Sequence, residues 1–560
     1  MVFCRKGVCV LNTSTKTLRE FSFFLFLGLN AFLSYKIYLQ FYSSLSILGG
    51  GRSSFSFDME MLQPLLIIFV VLTIVEAIIF LLLFRRFGGG TVLASSRLLN
   101  FKQVKAEQKR VRNKVFYTKR EGKFTKEKSA LLLSKNIKLT TKKAFEHIAI
   151  FAPTGAGKTS SILIPQLQSI DNVSLVVTDP KGEIHEKTKA DMKNKGYNVV
   201  HLNLYDANSS AAYNLLANCK SEDDVRKLSE SILGSDEWGR LSQTLLQAFL
   251  FRAFKQGESL SDVVNALAEA PTNLDELEME YFSDTNKHAI LAFKQFSKTA
   301  QGEGFISSVF ATVQARMKVF EFDNIRLLGE RESFEIGRLR EEKTILFVSY
   351  PEDESEVYAP FLSSFYYQVM NKLKSHESVN ETLGNSYGLP IVFMLDEFAN
   401  IGVIPEFDKF LATIRSKKMS VEIFLQSFGQ LYKTYKDASS IILENCKTKI
   451  TMSGVTDQTA ELFAKLVGRE QYKAVSVSSG DKSSSASESD QTKEVLSSDD
   501  IRRLKTYEML IISDNLRPIK DDKNFYFYDK IQFVIYKYSP FSLEFNDFLI
   551  GKYSKLKKRR

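Results

Sequence analysis

The sequence predicts an α/β domain that carries an inserted all-α domain and follows two N-terminal transmembrane helices. Three patterns predict this fold class. From about residue 137, short apolar runs rich in β-branched residues alternate with helical segments, as in a doubly wound parallel sheet. Strand signals disappear between residues 221 and 302, where apolar residues follow helical spacing instead. Two apolar runs of nearly bilayer length precede residue 88.

The length and composition limit the class of protein. With 560 residues the chain exceeds one ordinary core, so several domains are expected. Its net charge of +10 suits contact with nucleic acid or with an anionic membrane surface, but it does not choose between them. The four cysteines and five histidines show no metal-ligand spacing. A disulfide framework and a zinc-binding module are therefore not expected.

The two apolar runs predict membrane spans at about residues 21–38 and 64–84. Between them only Arg52 is basic, whereas both outer flanks are rich in lysine and arginine. By the positive-inside rule both termini should lie in the cytoplasm, with residues 1–88 as the membrane anchor.

Residues 89–136 are predicted to form a basic juxtamembrane linker. The dense basic stretch from Lys102 to Lys128 favours contact with anionic lipid, and contact with DNA is the alternative. No binding or catalytic role is predicted for two other polar segments: a mobile serine-rich loop at Val475–Ser498 and a basic tail at residues 541–560.

A phosphate-binding loop follows the apolar run Ile148-Ala149-Ile150. In the pattern G-x-x-x-x-G-K-[ST], the glycines let backbone N–H groups close around phosphates, and the following helix directs its positive end at them. Here Ala152 replaces the first glycine. Lys158 is expected to reach the β- and γ-phosphates and Thr159 to hold Mg²⁺. The residues predicted to bind the nucleotide are Pro153, Thr154, Gly155, Ala156, Gly157, Lys158, Thr159 and Ser160.

A second motif ends the buried-strand run Ile391–Leu395 in two acids, Asp396 and Glu397. In a parallel sheet this strand is expected beside the loop-bearing one, with its acids at the carboxyl edge where ligands bind. Asp396 is predicted to hold Mg²⁺ and Glu397 to polarise the water that attacks the γ-phosphate. The alternative for each motif alone is a solvated turn. Together they predict a nucleotide hydrolase, with a nucleotide-binding domain at residues 137–220 and 303–540 and an all-α insertion at 221–302.

The arrangement resembles the type IV secretion coupling proteins, the TraG/TraD family of membrane-anchored conjugation ATPases. The resemblance rests on the two apolar runs, the phosphate loop, the helical insertion and two motifs, Asp179-Pro180-Lys181-Gly182-Glu183 and Leu395-Asp396-Glu397-Phe398-Ala399-Asn400. It implies a RecA-like core that binds ATP and Mg²⁺ and assembles as a hexamer at the inner membrane. It also implies that the insertion receives DNA or a relaxase-bound substrate.

The resemblance implies roles for two further residues. Arg415 is like a finger that reaches the neighbouring subunit's nucleotide, and Gln426 resembles a γ-phosphate sensor at a strand tip. A guanidinium that enters across an interface stabilises transition-state charge, which agrees with the first role. The alternative for Arg415 is a surface salt bridge.

The leading hypothesis is an ATPase that recruits a relaxase–DNA or protein substrate and drives it, as single-stranded DNA in the first case, into a type IV secretion channel. Binding through lysine and arginine to phosphates would be independent of base sequence. Two alternatives remain: a coupling ATPase that exports only protein effectors, and a non-hydrolysing membrane adaptor that docks substrate. A chromosome-segregation translocase of the FtsK type is disfavoured, because such chains are longer and end in a winged helix.

Overall fold

The protein divides into two units, Met1–Leu93 and Ala94–Arg560. The computed structural model describes residues 3–5, 8–10, 36, 96–234, 236–300, 302–331, 333–377, 387–480, 483–528, 530–538, 549–551 and 554. Within these residues no helix is both long and apolar enough to cross a bilayer. The predicted spans at 21–38 and 64–84 lie outside them, apart from Lys36.

Sixteen strands are found in the described residues. In chain order they are β1 Phe3–Arg5, β2 Val8–Val10, β3 Phe116–Thr118, β4 Leu131–Leu132, β5 Ile137–Leu139, β6 Ile148–Phe151, β7 Ser174–Thr178, β8 Asn198–Asn203, β9 Thr344–Ser349, β10 Ile391–Leu395, β11 Met419–Leu425, β12 Thr448–Met452, β13 Arg469–Gly480, β14 Ser483–Glu494, β15 Glu508–Ser513 and β16 Ile519–Asp522.

The helices alternate with the strands along the chain and also fill the long stretch between β8 and β9. In chain order they are α1 Phe101–Val111, α2 Lys123–Lys126, α3 Thr141–Ala144, α4 Ile164–Ser169, α5 Glu183–Asn194, α6 Glu222–Leu233, α7 Glu237–Gln256, α8 Leu260–Glu269, α9 Leu274–Leu277, α10 Lys287–Thr299, α11 Glu303–Met317, α12 Asp323–Gly329, α13 Arg338–Glu341, α14 Ser355–Ser375, α15 Phe407–Ile414, α16 Phe428–Tyr435, α17 Ala438–Asn445, α18 Asp457–Val467, α19 Ser498–Arg502 and α20 Lys530–Tyr538.

Nine strands form the central sheet in the order β16-β15-β12-β6-β11-β10-β7-β9-β8. The seven from β12 to β8 are parallel, and β15 and β16 add an antiparallel edge. The predicted doubly wound α/β class is confirmed. One expectation was wrong: β10, which carries the paired acids, does not lie beside β6, because β11 is inserted between them.

The sheet is buried on both faces. Successive residues of β6 alternate between two cores, with Ile148 and Ile150 in one and Ala149 and Phe151 in the other. Phe151 meets Phe463 of α18 edge to face, with ring centroids 5.7 Å apart. Burial on both faces explains why these strands read as continuous apolar runs in the sequence.

The stretch from α6 to α13 is helical. Its first helix begins where Glu222-Asp223-Asp224 predicted a helix N-terminus, and Ser221 caps it: Ser221 Oγ accepts from the Asp224 N–H, and Asp224 Oδ2 accepts from the Ser221 N–H at 3.0 Å. Helices continue beyond residue 302 to Glu341, so the helical region is longer than the predicted insertion.

From residue 96 onward the predicted basic linker folds onto the body. The backbone N–H of Leu99 donates to Pro518 at 2.8 Å, and β3, β5 and β4 form a small antiparallel sheet that follows α1. Val104 and Phe116 are fully buried. The basic residues therefore belong to a folded surface, because apolar residues interleaved with them pack inward.

The serine-rich stretch was predicted to be a loop, and this was wrong. β13 and β14 pair in antiparallel register from Arg469↔Glu494 to Gly480↔Ser483. These strands pair with each other and not with the central sheet. A polar composition concealed the hairpin, because its backbone hydrogen bonds need no apolar face to be satisfied.

A buried carboxyl lies in the middle of β11. Glu422 is fully buried, and burial raises its pKa from the ordinary 4.5 to about 8, which the nearby side chain of Gln166 offsets only in part. Because the folded-state pKa lies above the unfolded value, the folded chain binds an extra proton. The stability that this proton supplies is complete below pH 4.5 and is lost as the pH rises through about 8.

Replacing Glu422 with glutamine should remove this loss. We expect the melting temperatures of E422Q and the unaltered chain to be similar near pH 4.5 and to separate progressively toward pH 8 and above, with E422Q the more stable by the order of a few kcal/mol. Thermal unfolding of the full chain across this range is the measurement, with the exposed Glu444→Gln as control. A difference that is constant with pH would contradict the prediction.

Candidate nucleotide-binding site

The phosphate loop joins β6 to the helical segment that begins at Thr159. Gly155 and Gly157 have φ values of 77° and 89°, a region that disfavours side chains. Ala152 is different: its φ is not positive, and its buried N–H donates to Leu425 at 2.9 Å. The loop therefore accepts alanine where the usual pattern has glycine.

The loop leads directly into a helical turn. Residues Thr159–Leu163 form a wide π-type turn that continues into α4. Ser161 Oγ donates to the Gly157 carbonyl at 2.7 Å and holds the turn against the loop. The free N–H groups at this N-terminus and the positive end of the helix dipole favour a bound anion.

The two acids meet the loop at the carboxyl edge of the sheet. Lys158 Nζ forms an ion pair with Glu397 Oε1 and lies 4.0 Å from Asp396 Oδ1. Glu397 is in the left-handed backbone region with φ of 48°, and its N–H donates to Asp396 Oδ1 at 3.0 Å. Such a conformation is uncommon for a residue with a side chain and is enriched at functional sites.

The predicted γ-phosphate sensor lies in the same cluster. Gln426 immediately follows β11, and its Nε2 donates to Glu397 Oε2 at 3.2 Å. The insertion of β11 between β6 and β10 produces this contact. One oxygen of Glu397 therefore meets the loop lysine, and the other meets Gln426.

The donor set suits a hard divalent cation. Thr159 Oγ1 lies 3.5 Å from Asp396 Oδ2, so hydroxyl and carboxylate oxygens, the ligands that Mg²⁺ prefers, come together beside Lys158. Burial raises the pKa of Asp396 to about 7; Lys158 lowers it and the charge of Glu397 raises it further. A cation here would compensate a buried carboxylate.

The motif Asp179-Pro180-Lys181-Gly182-Glu183 follows β7 and lines the same cleft. Asp179 is buried, which raises its pKa to about 6, while backbone N–H groups, including that of His185 at 2.7 Å, lower it. Lys181 pairs with Glu352 at 3.0 Å. The cleft has a volume of about 390 Å³.

Several lining residues were not predicted. Lys187, Glu352, Tyr526 and Phe527 all face the cleft. No motif marks them. The aromatic run Phe525–Tyr528, which follows a polar stretch, is the sequence signal that indicates two of them.

Arg415 is not brought into this cleft. It precedes β11, at the edge of the sheet opposite Gln426, and its guanidinium pairs with Glu146 at 2.6 Å. Its side chain remains 54% exposed, whereas that of Glu146 is 6% exposed. Within one chain, Arg415 therefore forms the salt bridge that was the alternative interpretation.

Comparison with known proteins identifies the family. A family model described as type IV secretory system conjugative DNA transfer matches residues 94–555. The chain belongs to this family. The matched segment includes the phosphate loop, the paired acids and the helical stretch, so the resemblance stated from the motifs is confirmed.

Curated relatives agree with this assignment. Protein VirD4 of Rhizobium radiobacter is 23% identical over 403 residues, which cover 69% of this chain and 57% of VirD4. The conjugal transfer protein TraG of Escherichia coli is 24% identical over 351 residues, covering 58% of this chain and 55% of TraG. The matches thus span little more than half the length of these relatives.

Solved structures show the same fold. The plasmid coupling protein TrwB in complex with ADP and Mg²⁺ aligns with a TM-score of 0.57 at 15% identity, covering 79% of this chain and 96% of TrwB. TrwB with the ATP analogue ADPNP gives 0.58 at 16%, covering 78% and 96%. The α/β fold of this chain therefore resembles that of TrwB.

Proposed function

We propose that this protein is a membrane-anchored coupling ATPase that recruits a relaxase–DNA or protein substrate and drives it into a type IV secretion channel. One observation carries the proposal: Lys158, Thr159, Asp396, Glu397 and Gln426 converge on one cleft in a member of the conjugative DNA transfer family. The chemistry of this set is the binding and hydrolysis of a nucleoside triphosphate.

Each side chain of the cleft has a role in that reaction. The loop N–H groups of residues 153–160 and the Lys158 ammonium bind the phosphates, and Thr159 and Asp396 would hold Mg²⁺, which neutralises charge on the phosphate oxygens. Glu397 orients the attacking water and accepts its proton. Gln426 holds one oxygen of Glu397 and so couples the γ-phosphate position to β11.

The ion pair between Lys158 and Glu397 has a consequence for binding. An incoming triphosphate offers the lysine a stronger anionic partner, because its charge is higher and it accepts several hydrogen bonds. Displacing Glu397 from Lys158 frees the carboxylate for water. Substrate binding therefore activates the base.

Assembly and location complete the proposal. A homo-hexamer places Arg415 of one subunit at the nucleotide of the next, which agrees with its exposed position outside its own cleft. The apolar segments at 21–38 and 64–84 anchor the ring in the inner membrane, with both termini in the cytoplasm. The partners are channel components and single-stranded DNA or a relaxase–DNA complex.

The test is ATPase activity of the purified full chain, measured with and without single-stranded DNA over a range of protein concentrations. We expect specific activity to rise with concentration and to be stimulated by DNA. Activity without DNA stimulation would favour export of protein effectors only. A chain that binds substrate and never hydrolyses ATP would support the docking adaptor instead.

Lys158→Ala should abolish substrate transfer and reduce ATP hydrolysis to background, because the β- and γ-phosphates lose their charged partner. Conjugation frequency in cells and phosphate release in vitro are the measurements. Assembly should be unchanged, since the Lys158 side chain contacts the cleft acids. Normal transfer with K158A would contradict an ATP-driven mechanism.

A further inference from the structure

A segment from the far end of the chain covers the phosphate loop. After β16, residues 523–528 run across the loop and are attached at two points. Lys523 Nζ donates to the Ala156 carbonyl at 2.8 Å, and the Tyr526 N–H donates to the Ser160 carbonyl at 3.1 Å. The segment therefore follows the loop and the first turn after it, although about 370 residues separate them in sequence.

Burial strengthens the first attachment. Lys523 is only 1% exposed, and burial lowers its pKa to about 8. A buried ammonium group needs its hydrogen bonds satisfied, so the bond to Ala156 holds the segment firmly on the loop.

The second part of the segment is aromatic. Phe525 packs on the loop so closely that a Cβ at Gly157 would lie 3.1 Å from its ring, which gives Gly157 a packing reason beyond its backbone angle. Tyr526 and Phe527 line the cleft, with ring centroids 5.2 Å apart and planes at 81°. Phe527 is 47% exposed.

The cleft has two chemically different parts. One contains Lys158 and the paired acids, which receive the terminal phosphates. The larger apolar side chains of the lining are Ile164, Ile184, Tyr526 and Phe527. Ser160, whose carbonyl accepts from the Tyr526 N–H, follows Lys158 by two residues. Ile164 comes one helical turn later. The apolar part of the cleft therefore begins just after the phosphate-binding residues.

We propose that Tyr526 and Phe527 form the base-binding subsite of the nucleotide site, where the nucleobase of the bound triphosphate stacks on an aromatic ring. This inference rests on the proposed function, since it assigns the nucleoside end of the same ligand. Stacking on an aromatic face contributes substantially to base binding and does not require a particular base. The exposed face of Phe527 is the surface that the base covers.

The subsite also connects the nucleotide to the antiparallel edge of the sheet. Tyr526 and Phe527 lie a few residues after β16, which pairs with β15, and Leu99 bridges to Ile519 of β16. The rings on which the base stacks thus lie close in sequence to the strand that is bridged to Leu99.

The test compares ATP with tripolyphosphate, which has the phosphates but no base, by isothermal titration calorimetry on the purified full chain with Mg²⁺. For the Tyr526→Ala/Phe527→Ala double variant we expect the Kd for ATP to rise about tenfold or more. The Kd for tripolyphosphate should change less than about twofold. Tyr526→Phe, which keeps the ring, should bind ATP nearly as the unaltered chain does.

The matched control is Tyr472→Ala, which removes an exposed ring from the β13–β14 hairpin and should change neither affinity. Unchanged ATP affinity in the double variant would overturn the inference. So would an equal loss for ATP and tripolyphosphate, because the rings would then only support the loop. If the unaltered chain binds neither ligand, the proposed function itself fails.

Discussion

Replacing Glu397 with glutamine should lower kcat for ATP hydrolysis by about 10²–10⁴-fold while ATP binding persists. The amide cannot accept the proton of the attacking water, which is the role given to this carboxylate. Binding should become somewhat tighter, because Lys158 loses the anionic partner with which phosphate competes. Phosphate release and calorimetric titration with ATP, both on the full chain, measure the two effects separately.

The matched control is Glu444→Gln, the same chemical change at an exposed position on α17. It should leave both quantities unchanged. If E397Q loses ATP binding in parallel with kcat, Glu397 contributes to nucleotide binding and is not the general base. If kcat is unaffected, the base must be sought elsewhere among the cleft residues.

Arg415→Ala should reduce kcat by about 10³–10⁵-fold and remove its dependence on protein concentration. The reason is that the guanidinium supplies transition-state charge stabilisation across a subunit interface, while its own chain's cleft remains intact. Arg415→Lys should recover little, since an ammonium lacks the planar fork of donors. ATP affinity measured at low concentration should be unchanged.

Mixed subunits provide the decisive measurement for Arg415. R415A keeps Glu397, and E397Q keeps Arg415, so a mixture of two inactive variants contains interfaces with both residues intact. We expect the mixture to regain part of the ATPase activity. No recovery in assembled mixtures would show that the arginine acts within its own chain.

A second variant tests whether Arg415 acts on the neighbouring subunit's nucleotide or through its salt bridge with Glu146. Glu146→Gln breaks the 2.6 Å ion pair but leaves the guanidinium in place. If Arg415 reaches the nucleotide of the neighbouring subunit, E146Q should retain most of the ATPase activity. A loss as large as that of R415A would mean that the ion pair at the sheet edge is what matters.

The phosphate loop and its acids were predictable because their signals are local. Glycine at positions 155 and 157 permits the positive φ found there, and the apolar run Ile391–Leu395 predicts a buried strand, so both signals are contained in a few consecutive residues. The β-branched and apolar runs likewise predicted the parallel sheet. Their partners within the sheet were less predictable, as the incorrect placement of β10 beside β6 shows.

Polar segments were the hardest parts of the chain to predict. The serine-rich stretch forms a hairpin, and the basic segment after residue 96 folds on the body. Backbone pairing determines the structure of the hairpin, and buried apolar residues such as Val104 and Phe116 hold the basic segment on the body.

The sequence alone predicts a phosphate-binding cleft and the class of fold, because a glycine loop, a lysine and two strand-end acids are recognisable in short stretches of chain. The tertiary structure alone decided which distant groups join them. It inserted β11 so that Gln426 meets Glu397, separated Arg415 from its own cleft, and laid Tyr526 and Phe527 beside the phosphate loop. Spacing along a chain does not encode such contacts, since they arise from the order of strands in the sheet and from packing between segments hundreds of residues apart.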